Sequence, residues 1–174
     1  MFSKLAVIAL VVVLGLVNWS IAGKEKHLAE GKVVYLELAP VDPRSLMQGD
    51  YMALDYGVAR AVYKVLPKIT EEYRRWRHNV NASDGYAVVV LDENKVASFK
   101  TISDGQVPGE NEMLLKYRVR NGAVTFATNA FFFQEGHAKY YTSARYGQFR
   151  VDDKGELLLV GMYDKQLKKI EAKK

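Results

Sequence analysis

The stretch MLLKYRVRNGAVTFATNAFFF, Met113 to Phe133, decides the fold class. At its centre Asn121-Gly122 is the strongest short-range signal for a two-residue hairpin, because both turn positions require positive φ. The flanks, 113–120 and 123–133, are rich in aliphatic, β-branched and aromatic residues, so each reads as a strand. The pattern repeats on either side. Tyr86 to Leu91 and Val96 to Ile102 flank the loop Asp92-Glu93-Asn94-Lys95, and Tyr146 to Val151 and Leu157 to Tyr163 flank Asp152-Asp153-Lys154-Gly155. Upstream, VVYLEL (33–38) is a further strand, closed by the two prolines of Ala39-Pro40-Val41-Asp42-Pro43-Arg44. Tyr51 to Tyr56 alternates, which places Tyr51, Ala53 and Asp55 on one face and Met52, Leu54 and Tyr56 on the other.

Helical character is confined to a few places. Val62, Leu66, Ile69, Tyr73 and Trp76 recur at spacings of three and four within 58–80, and Pro67 predicts a kink or a break there. A short helix is expected within 134–144, after Gly136. The body is therefore α+β and mainly antiparallel β, a small barrel or half-barrel with one helical excursion.

A single N-terminal transmembrane helix is expected to precede it. Leu5 to Ala22 reads LAVIALVVVLGLVNWSIA, whose length at about 1.5 Å per residue approaches a hydrocarbon core of ~30 Å. Trp19 suits the membrane–water interface. Ser20 and Ala22 also fit a signal-peptide cleavage site after Ala22, so anchor and signal peptide both stand as readings. Asn18 within the span is costly in lipid unless a partner helix satisfies it. The chain divides into residues 1–23 as anchor or signal peptide, 24–32 as a polar connector, 33–164 as the β domain, and 165–174 as a basic tail.

The 174 residues include no cysteine, which excludes disulfides, thiolate zinc sites, iron–sulfur clusters and cysteine nucleophiles. Histidines stand only at 27, 78 and 137, so no metal site and no cofactor are expected. The net charge of +5 is concentrated in 60–78 and in the tail, each +4, while the body is mildly acidic. Such patches suit anionic lipid headgroups; no reading helix or stacking platform points to nucleic acid. Phosphate loops, dinucleotide fingerprints and paired histidines at i, i+4 are lacking as well.

The most distinctive residues are Asp42-Pro43-Arg44-Ser45-Leu46-Met47-Gln48-Gly49-Asp50-Tyr51-Met52-Ala53-Leu54-Asp55-Tyr56. Gly49-Asp50-Tyr51, then Leu54, then Tyr56, resembles the signature of the GDYXXLXY membrane-anchored proteins of bacteria. The Asn18-Trp19-Ser20 end of the first helix, Phe132-Phe133-Gln134-Glu135-Gly136 and Arg145 to Asp152 fit the same family, so the resemblance covers nearly the whole chain. That family has no known function. The resemblance implies an anchored β domain in the periplasm, at the bacterial inner membrane, and a polytopic integral membrane protein as partner.

Two readings of the signature compete with a third. In the structural one, Asp42 and Pro43 hold a turn, Arg44 pairs with Asp42 or Asp50, Gly49 supplies positive φ, and the tyrosines pack. In the binding one, Arg44, Asp50, Tyr51 and Tyr56 meet a partner, although the opposite parity of Tyr51 and Tyr56 keeps them from one site. Phe132, the outward member of Phe131-Phe132-Phe133, is a candidate interface patch. The third reading is a hydrolase. A span followed by Ser and Gly-Asp resembles type I signal peptidases, with Ser45 as nucleophile and Lys95 or Lys100 as a desolvated base. Here Ser45 is followed by Leu-Met-Gln-Gly-Asp, and no lysine motif of those enzymes is present. An accessory subunit of an integral membrane partner is the leading expectation. A membrane-surface Ser/Lys hydrolase and a periplasmic small-molecule or lipid-binding module are the alternatives.

Overall fold

Hairpins organise this chain, and an aspartate opens three of its turns. Asp92 Oδ1 accepts the N–H groups of Asn94 (2.9 Å) and Val96 (2.8 Å). Asp152 Oδ1 does the same for Lys154 (3.0 Å) and Glu156 (2.8 Å), and Asp164 Oδ1 for Gln166 and Lys168 (2.9 Å each). In each loop the fourth residue is left-handed: Lys95 at φ 63°, Gly155 at 73°, Leu167 at 57°. A type I turn followed by a left-handed residue is the geometry of a three-residue hairpin loop with a bulge.

The computed structural model describes residues 2–39, 47–48, 51–66, 82–120 and 123–171. Helix α1 (Phe2–Glu30) is followed by β1 (Lys32–Glu37), β2 (Met47–Gln48), β3 (Tyr51–Ala53) and helix α2 (Gly57–Val65). Then come β4 (Ser83–Leu91), β5 (Ala97–Ile102), β6 (Glu112–Arg120), β7 (Ala123–Thr125) and β8 (Ala130–Phe132). A 3-10 helix (Ala138–Ser143), β9 (Tyr146–Val151) and β10 (Leu157–Tyr163) complete the order. Among the described residues the strands of each sheet pair antiparallel, in the orders β1-β9-β10, β2-β3-β8 and β5-β4-β6-β7. A parallel bridge between Tyr35 and Val96 links β1 to the start of β5. Lys116 N–H, on β6, donates to the Gly155 carbonyl in the β9–β10 turn (2.8 Å). The two larger sheets thus curl toward each other, and the fold is α+β, a half-barrel of mostly antiparallel strands.

Helix α2 packs across this curl, against β5, β7 and β1. Its buried face is Val58, Ala59 and Val62. The helix ends at Val65, with extended backbone at Leu66, as the residue before Pro67 prefers. The remainder of the expected helical segment, 67–81, lies outside the described residues. The core joins α2 to Val34, Leu36, Val89, Leu115, Val119, Phe126 and Phe149, all essentially sealed from solvent.

Two sequence expectations need correction. The strand expected over 123–133 is two strands, β7 and β8, with an irregular link between them. There Phe126 turns fully into the core against Tyr117, and Ala127 takes a left-handed φ of 48°. One continuous strand would hold residue 126 to the alternation of its neighbours; the break frees its ring to enter the core. The second correction concerns the connector expected over 24–32. Residues 24–30 continue α1 without interruption. The helix is 29 residues long, about 43 Å at 1.5 Å per residue.

Phe126→Ala tests the first correction. Removing a sealed aromatic ring is expected to cost about 3–5 kcal/mol, read as a lower denaturation midpoint. Phe132→Ala, at a position 72% exposed, is expected to leave the midpoint nearly unchanged.

Candidate functional site: the signature strand and the helix junction

The signature splits between the two sides of a short strand. Asp42, Pro43, Arg44, Ser45, Gly49 and Asp50 lie outside the described residues. From Tyr51 onward the expected alternation holds: Met52, Leu54 and Tyr56 are buried, while Tyr51 and Ala53 are exposed. Leu54 N–H donates to the Asn129 carbonyl (2.8 Å), so the signature leucine is tied to the β7–β8 link. Tyr56 bridges Leu38 through its backbone, and its ring meets Phe149 edge to face at 5.5 Å.

The inward tyrosine is chemically odd. The Tyr56 hydroxyl has no hydrogen-bond partner, and its residue is 2% exposed. Burial pushes its pKa far above the ordinary phenol value, so it stays neutral and is no base at physiological pH. The outward tyrosine differs. Tyr51 pairs across the strands with Phe132 of β8, with ring centroids 5.8 Å apart. Both rings are open to solvent, Tyr51 at 37% and Phe132 at 72%, on a sheet whose outer strand is β8.

The lysines named for a hydrolase do not have a base's surroundings. Lys95 is exposed in its turn, and Lys100 is an exposed ion-pair partner of Glu112. Neither is desolvated. His137 packs its ring edge against Tyr140 at 5.5 Å. The described residues hold no cluster of three or more His, Asp or Glu able to bind a metal.

Sequence reasoning missed the junction between α1 and the β domain. His27 is 9% exposed, in a helix otherwise bare of contacts along its apolar part. Its Nε2–H donates to the Arg150 carbonyl on β9 (2.9 Å). In return Arg150 Nη1 donates to the Gly31 carbonyl (2.9 Å), and Gly31 N–H donates to the His27 carbonyl (3.0 Å). Gly31 is required here, since a Cβ would lie 2.5 Å from that carbonyl oxygen and 3.0 Å from Arg150 Cβ. Only the partnership with β9, remote in sequence, marks these residues, and no local pattern could reveal it.

Two half-open cavities flank the junction. One, about 370 Å³, brings Lys26, Lys32 and Lys154 together with Glu30, Asp152 and Asp153, next to His27. The other, about 360 Å³, lies between α1, β6, the β7–β8 link and β10, and is lined by Lys24, Lys116, Arg118, Glu156 and the leucines 157–159. In it Lys116 Nζ donates to Glu156 Oε1 at 3.0 Å. That bond holds the Glu156 carboxyl below the usual carboxylate range and raises the Lys116 ammonium.

Asn18 donates one N–H of its side-chain amide to the Leu14 carbonyl, one turn back in α1, at 2.8 Å.

Two outcomes are expected. Tyr56→Phe removes a buried hydroxyl without a partner and is expected to raise stability by about 1 kcal/mol; a loss of stability would show a hydrogen bond to that oxygen. The depressed Glu156 carboxyl contributes stability above the ordinary carboxylate pKa, and that contribution fades as pH falls through the lower folded value. Glu156→Gln is accordingly expected to flatten the acid limb of a stability–pH curve below about pH 4, leaving the slope at neutral pH unchanged.

Comparison with curated proteins gave no match, and comparison with solved structures gave none. A family model does match, over residues 13–162, which runs from within the apolar part of α1 to the last strand. The chain belongs to the GDYXXLXY protein family.

Proposed function

We propose that the protein is a single-pass, membrane-anchored accessory subunit that presents its β domain outside the cytoplasm and docks on an integral membrane partner. The supporting observation is the outward face of the signature strand. It carries an open aromatic pair, Tyr51 on β3 and Phe132 on β8, which is the outer strand of its sheet among the described residues. Exposed aromatic clusters are the usual anchors of interfaces, and a free monomer has reason to avoid them.

The apolar helix supports the same reading. Val7 to Ile21 are exposed on every side, and such a helix requires lipid or other helices around it. In the bacterial setting implied by the family resemblance, the anchor sits in the inner membrane with the domain in the periplasm. No reaction is assigned. Lys95 and Lys100 are exposed, and the signature hydroxyl of Tyr56 is sealed in the core.

Full-length protein extracted in mild detergent is expected to begin at Met1 and to show the native mass of a discrete heteromeric complex. Tyr51→Ala with Phe132→Ala is expected to release it as a folded monomer. A wild-type monomer beginning at Gly23 would overturn the proposal.

A further inference from the structure

We infer that the cleft between Lys24 of α1 and Arg118 of β6 is a binding site for the phosphate headgroup of an anionic phospholipid. The inference rests on the membrane anchoring proposed above and adds to it a ligand and a place.

The first argument is charge. The two cavities beside the junction have nearly equal volumes, about 360 and 370 Å³. In the one near His27, three lysines face three carboxylates. In the other, Lys24, Lys116 and Arg118 face Glu156 alone. Glu156 is already taken by Lys116 at 3.0 Å. Among the described residues neither Lys24 nor Arg118 forms an ion pair, although Lys24 lies near enough to help hold the Glu156 carboxyl down. Three cations lining one cleft against a single carboxylate leave a net positive charge that suits an anion, and the guanidinium suits a phosphate in particular.

The second argument is position. Lys24 lies two residues beyond Ala22, the end of the apolar segment, and so about 3 Å further along the helix axis. That is the depth of the headgroups for a helix whose apolar part fills the hydrocarbon core. The cleft is therefore held at the level where lipid phosphates lie, and α1 beside it offers an open apolar surface for acyl chains.

The third argument is the wall chemistry. Leu158 and Leu159 line the cleft and are only partly buried. A cleft that is basic at one side and apolar at another matches an amphiphile better than a free ion. The backbone at its rim is also held under strain, with Ala127 left-handed at φ 48°.

The test uses the full-length protein in detergent, offered equal amounts of phosphatidylglycerol and phosphatidylcholine, with bound lipid counted by native mass spectrometry. Wild type is expected to retain one phosphatidylglycerol with a preference of about tenfold or more, as two added cation contacts imply. Lys24→Gln with Arg118→Gln is expected to abolish the preference at an unchanged melting temperature. Lys26→Gln with Lys154→Gln, in the other cavity, is expected to keep it. Equal retention of both lipids, or a preference that survives the first double variant, would overturn the inference. So would full displacement of the lipid by millimolar inorganic phosphate, which would make the site one for a free anion. Alkaline carbonate extraction reads the anchoring separately. Protein released by carbonate that still selects phosphatidylglycerol would remove the anchor and keep the cleft; protein that stays in the membrane without selectivity would do the reverse.

Discussion

The mutual grip between the end of α1 and β9 is the constraint on which the rest depends. His27 gives a hydrogen bond to the Arg150 carbonyl, and the Arg150 side chain returns one to the Gly31 carbonyl. Gly31 is one of the last carbonyls a helix leaves unsatisfied, and a guanidinium is well suited to that negative end. The contact therefore caps the helix and docks it in a single step. Without it, a polar helical extension would have no reason to hold any direction relative to the sheet. With it, the cleft at Lys24 and the outward aromatic pair occupy fixed places relative to α1.

The signature gains a physical meaning from the same framework. Its buried half, Met52, Leu54 and Tyr56, joins the small third sheet to the core under the half-barrel. Its exposed half meets β8. One strand thus carries both a packing role and a surface role, divided by the two-residue period of the backbone. The family match over most of the chain agrees with a signature embedded in one fold, as opposed to a detachable motif.

Much of this was legible because strand chemistry is local. Asp92 and Asp152 announce their turns, and the alternation from Tyr51 to Tyr56 foretells which side chains are buried. Phe132 was readable as outward for the same reason. What failed to show was non-local. Thr125-Phe126-Ala127 looks like strand, yet Phe126 is drawn inward by Tyr117 and the backbone yields at Ala127. Lys24 to Glu30 looks like a connector, yet β9 gives it a partner. The Asn18 side-chain amide reaches an acceptor one turn back in its own helix, a contact set by the spacing to Leu14. The cleft could not be read at all, since Lys24, Lys116, Arg118 and Glu156 converge only after folding.

The unbroken course of α1 also makes the molecule a lever. A flexible joint would let the span tilt while the domain kept its own attitude. In the membrane setting proposed above, the bilayer would set the inclination of the helix, and the domain would inherit it. For a domain about 30 Å across, a change of ~20° in tilt carries its far side through roughly 10 Å. Thickness or crowding of a surrounding bilayer would thereby be converted into the height and heading of the Tyr51–Phe132 face, with no hinge to absorb the difference.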